Sequence, residues 1–75
     1  MTKTVNVKAV SDRIRSRMQM RGLTVPRAAA SCGMPVPTFE TYLYAQHLPG
    51  AQSLADLALG LGCTADWLLF GTVRP

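Results

Sequence analysis

The side chains able to do covalent chemistry in this chain are few and scattered. His47 is the single histidine and Glu40 the single glutamate, while Asp12, Asp56 and Asp66 stand far apart. Cys32 and Cys63 each fall on an apolar position of their segment, with no Cys-x-x-Cys pair and no Cys/His cluster. No nucleophile, base and orienting group can be assembled from this set, and no metal site. The sequence therefore predicts a protein that is not an enzyme and needs no cofactor. Its two thiols should be buried and free in a reducing compartment.

Recognition chemistry is better supplied, and it is concentrated between Thr24 and His47. Thr38, Tyr44, Gln46 and His47 carry the donors that hold phosphate oxygens. Arg27 adds a charge in the first turn of a helix, where a cation opposes the helix dipole and a phosphate would relieve that conflict. Val36 and the Thr41 methyl suit a thymine methyl, and the Glu40 carboxylate suits the N4 amino group of cytosine. Pro37 shares the same outward face, and Thr24 stands at the head of the preceding helix.

Helices must position these groups. Thr24 is an N-cap residue, Pro26 fits the first turn behind it, and Ala28, Ala29 and Ala30 let another helix approach closely. Gly33 supplies the positive φ that ends this helix, with Met34 as an apolar plug. Pro35 and Pro37 start a second helix carrying Phe39, Tyr42 and Leu43 at three- and four-residue spacing. Helix, glycine turn and helix over roughly 20 residues is the helix-turn-helix pattern, whose second helix (about 36–44) would enter the DNA major groove.

The flanks complete a small all-α domain. Residues 1–7 have no helical period and read as a flexible arm. From Lys8 to Arg21, Val10, Ile14 and Met18 form one stripe opposite Arg13, Arg15 and Gln19, with Gly22 closing the helix and Leu23 dropping inward. A loop over 45–50 leads to a helix over 51–61 striped by Leu54, Leu57, Ala58 and Leu61. Thr64 caps a last short helix, with Asp66 at its positive end and Trp67, Leu68 and Phe70 sealing the core. Gly71 stops it, so the domain runs 8–71 and 72–75 is a tail.

Seventy-five residues make one domain, and at 48% hydrophobic and 7% aromatic its core must be mostly aliphatic. No apolar run approaches the ~20 residues of a membrane span, and the amino terminus lacks a secretory signal, which predicts a cytoplasmic protein of a bacterial or phage-bearing cell. The net charge is +4, and Lys3, Lys8, Arg13, Arg15, Arg17, Arg21 and Arg27 all precede residue 28 against one acid, Asp12. That asymmetry reads either as a solvated helix face or as an electrostatic footprint for phosphates.

From Arg13 to Gly71 the chain resembles the lambda-repressor-like family, the Cro/repressor-type or XRE-like helix-turn-helix proteins. The resemblance rests on Gly22-Leu23-Thr24, Ala29, Gly33-Met34, Phe39, Tyr42, Pro49, Leu54 and the closing run from Leu61 to Gly71. It implies a compact five-helix fold and a small transcription regulator binding double-stranded DNA as a homodimer; a small contact between the copies would let that dimer form fully only on DNA. The chain ends just past the fifth helix, so dimerisation would use the domain's own surface, on the fourth and fifth helices. The sequence departs from the family at Val25, where a glutamine is usual, and at Pro35-Val36-Pro37, where polar residues are usual. Leu43 and Tyr44 also replace charged or polar residues.

Two functions follow. The first is a sequence-specific regulator, of phage or prophage repressor or autoregulator type, binding an operator through Thr24, Arg27, Val36, Pro37, Thr38, Glu40, Thr41, Tyr44, Gln46 and His47. The second is a protein-interaction module, an antirepressor, antitoxin-like partner or inhibitor, that meets a protein partner through an apolar patch of Val36, Pro37, Leu43 and Tyr44.

Overall fold

The structure, a computed structural model, describes residues 4–71. The chain forms α1 (Val7–Arg21), α2 (Val25–Ser31), α3 (Val36–Leu43), α4 (Ala51–Leu61) and α5 (Ala65–Phe70), with no strand among the described residues. The expected tail at 72–75 and the first three residues of the expected arm lie outside them.

Local chemistry sets the helix ends. Asn6 accepts the Ala9 N–H on its side-chain oxygen at 3.0 Å, so α1 starts at Val7, one residue before the expected start. Val5, on the approach, packs against the core. Thr24 and Thr64 cap α2 and α5, accepting the N–H groups of Arg27 at 3.4 Å and Trp67 at 3.1 Å. Pro35 is extended at the head of α3 and Pro37 sits in its first turn, where no helical N–H is lost.

Helix α1 touches α3, α4 and α5, while α2 packs on α3 and α4. The shared core is Val10, Ile14 and Met18 from α1, Ala28 and Ala29 from α2, and Phe39 and Leu43 from α3, with Cys32 just past α2. Leu57, Ala58 and Leu61 of α4 and Leu68 of α5 close it. Burying a side chain the size of Phe39 or Leu57 stabilises the fold by about 2 kcal/mol. Leu23, Met34, Tyr42, Leu54 and Trp67 pack half-buried at its margin, and Phe70 is likewise only partly covered.

The close helix approach expected at three alanines is centred elsewhere. Ala28 and Ala29 are buried but Ala30 is exposed. The tightest point is Gly60 of α4, where a Cβ would lie 2.6 Å from Cys32 Cα, Cys32 Sγ and the Ser31 carbonyl oxygen. Glycine costs helical stability, and here it lets the α4 backbone lie directly on the end of α2.

Candidate functional site

The site is built from the start of α2, the turn and the outward face of α3. Cys32 N–H bonds Ala28 O at 3.0 Å, Gly33 N–H bonds Ala30 O at 3.0 Å and Met34 N–H bonds Ala29 O at 3.0 Å. Gly33 takes φ +67°, which spares a side chain from that left-handed turn, and Met34 then points back to the core. The turn uses three consecutive backbone donors, so α3 leaves it at a defined angle.

Phe39 and Leu43, four apart, fasten α3 inward and are buried. The opposite side carries Pro37 and Thr38, both exposed, with Glu40 and Thr41 half-covered and Tyr44 53% exposed. Thr41 Oγ1 donates to Pro37 O at 3.0 Å, which spends its proton and leaves the oxygen to accept. Gln46 and His47 are exposed in the loop beyond. Tyr42, between the two faces, donates from its hydroxyl to Ser53 Oγ at 3.1 Å and so ties α3 to α4.

Two expectations for this face change. Leu43, placed on an outer apolar patch by one reading, is 3% exposed because it lies over α1. Val36, expected to face outward, is half-buried against the core. An eight-residue helix has barely two turns, and the neighbours on either side decide which stripe is covered.

The basic amino-terminal third is reassigned more thoroughly. Arg13 Nη1 donates to Leu68 O at 3.0 Å, and Arg15 Nη2 to Leu43 O at 3.3 Å. Arg17 donates from Nε to Leu61 O at 3.2 Å and from Nη2 to Gly62 O at 3.1 Å; Arg21 Nη1 reaches Gly60 O at 3.0 Å. These acceptors are the last carbonyls of α3, α4 and α5, which have no partner within their own helices. A guanidinium there supplies the hydrogen bond and a cation at the negative end of the helix. The arginine face of α1 therefore caps three other helices.

Lys8 is also taken, at 2.7 Å from Asp12, whose carboxyl that hydrogen bond holds below the usual carboxylate range. Arg27, exposed beside Thr24, has no hydrogen bond or ion pair from its charged group. Among the described residues it is the one cation left unpartnered. The two thiols are free, with Cys32 pushed up to about 11, chiefly by burial and then by Cys63.

Sequence reasoning missed Ser11, which is 2% exposed and donates its hydroxyl to Leu43 O. A signal existed: Ser11 lies one turn after Val7 and one turn before Ile14, on the buried stripe of α1. In comparisons with known proteins, the chain matches no family model and no curated protein. Among the described residues, fold and site thus define an all-α, five-helix arrangement that presents hydroxyls, one carboxylate and one free guanidinium around a short helix.

Proposed function

We propose that this protein is a sequence-specific regulator of transcription that binds double-stranded DNA through α3, on a lambda-repressor-like helix-turn-helix scaffold. The observation that carries the reading is the pairing of a polar outward face on α3 with the unpartnered Arg27 at the head of α2. A helix with its side chains is about 10–12 Å across, which fits the ~12 Å width of the major groove. In this reading Thr38, Glu40, Thr41 and Pro37 meet base edges, with the half-covered Val36 at their margin. Thr24, Arg27, Tyr44, Gln46 and His47 hold the phosphates on either side. Two copies on a near-palindromic operator would set two α3 helices about 34 Å apart. The role is that of a phage or prophage repressor or an autoregulator, working in a bacterial cytoplasm.

The test is titration of the purified protein onto its own upstream DNA and onto a scrambled duplex at two salt concentrations. Retention of the upstream duplex alone, weakening steeply with salt, is the expected result. Equal weak binding to both duplexes overturns the reading.

The protein-interaction alternative retains one observation. Tyr44 and Leu48 are exposed apolar side chains at the end of α3 and in the loop after it, 53% and 46% open. With Leu43 buried and Val36 half-buried, Pro37 is what stays exposed of the rest of its apolar patch. Survival of a partner complex in Tyr44→Glu would remove it.

A further inference from the structure

We infer that Ser11 and Arg15 are positioning residues for α3, holding the carbonyl of Leu43 from α1, on which α3 packs, and thereby fixing the angle at which Thr38, Thr41 and Tyr44 are presented. The consequence for DNA rests on the function proposed above; the grip on α3 does not.

The last turn of α3 has no internal use for that carbonyl. Tyr44 N–H goes to Glu40 O, Ala45 N–H to Tyr42 O and Gln46 N–H to Thr41 O. Ala45 then takes φ +59°, unusual for a residue with a side chain, and the helix cannot continue. Leu43 itself is buried, so its orphan oxygen has no water to turn to. Ser11 and Arg15, one turn apart on α1, both donate to it.

Ser11 is the one buried polar residue among those described. An alanine there would continue the apolar stripe of α1 without any hydroxyl to satisfy, so the hydroxyl is explained by its partner on α3. Arg15 is steadied in turn by Asp12 at 3.8 Å, and Asp12 by Lys8 at 2.7 Å. Two donors converging on one oxygen from successive turns restrict both the position and the rotation of the α3 end. The ends of α4 and α5 receive guanidinium donors alone; α3 adds a buried hydroxyl.

The test uses Ser11→Ala, Arg15→Met and the conservative Arg15→Lys. Residue-resolved amide exchange and the Leu43 carbonyl carbon shift report the grip. The ratio of affinities for upstream and scrambled duplex reports the presentation. In Ser11→Ala the amides of Tyr44 and Gln46 should exchange roughly tenfold faster while those of α4 keep their protection. The affinity ratio should fall by about tenfold with an unchanged salt slope, since no phosphate contact is lost. Arg15→Met should shift both readouts the same way, and Arg15→Lys should restore them. Protection lost evenly from all helices would show plain destabilisation and overturn the assignment, as would an undisturbed α3 end. If wild-type protein does not distinguish the two duplexes, the DNA reading fails on its own, and the exchange pattern alone decides the grip.

Discussion

Arg17 and Arg27 carry the same guanidinium on neighbouring helices, and their surroundings give them opposite employment. Arg17 reaches Leu61 O and Gly62 O at the end of α4, inside the protein's own hydrogen-bond accounts. Arg27 stands exposed at the start of α2 with its donors unspent. The same contrast separates the whole arginine face of α1 from the α2–α3 face. Among the described residues four of six cations close helices, and the proposed reading face has one free cation and a set of neutral donors. Counting basic residues therefore points to α1, and counting unspent donors points to α2 and α3.

The sharpest way to probe the framework side is Gly60→Ala. The added Cβ would meet Cys32 and Ser31 at 2.6 Å, so the helices must part, at a cost of about 3 kcal/mol in urea unfolding. A variant as stable as the parent would mean the crossing of α2 and α4 is not backbone-tight. Next in size, Arg17→Met should cost about 1–2 kcal/mol, because the carbonyls it serves lose charge-assisted bonds at a partly exposed site. Its DNA salt slope should stay as it was. A slope lowered by about one unit would move Arg17 to the other side of the comparison.

Alkaline pH tests the buried thiol at the same crossing. Cys32 is raised from the ordinary 9.0 to about 11. Below pH 9 the thiol is protonated whether the chain is folded or not, so its contribution is fully present there. As pH climbs toward 11 the unfolded chain releases that proton and the folded one keeps it, so stability falls. Cys32→Ala should flatten that decline relative to the parent, and an identical decline would reject the assignment. The smallest stability effect belongs to Arg27→Ala. Stability should stay within ~0.5 kcal/mol, with a slight gain from removing a cation at the positive end of α2. Binding to upstream and scrambled DNA should weaken together, with a salt slope lower by about one. Loss of stability instead would place Arg27 with the structural arginines.

Much of the architecture was legible in the sequence. Thr24, Thr64, Gly22 and Gly71 mark helix ends by chemistry that acts within a single turn, and each bounds the helix it was expected to bound. Val10, Ile14 and Met18, or Leu57 and Leu61, announce their burial by spacing. Shorter or mixed segments were less readable. Leu43 fitted both the inner stripe and the outer patch of α3, and only its contact with α1 separates the two. Ser11 was passed over because residue type suggested surface where position already suggested core.

The sequence by itself determined that the protein is all-α and where most of its described helices end, because caps, glycines and periodicity are local. Which donors remain free was decided only in the tertiary structure. Arg13 finds its carbonyl 55 residues away and Arg15 finds one 28 residues away. A guanidinium carries the same charge in either setting, and the helix end that folding brings beside it determines whether its hydrogen bonds turn inward or stay available to a ligand.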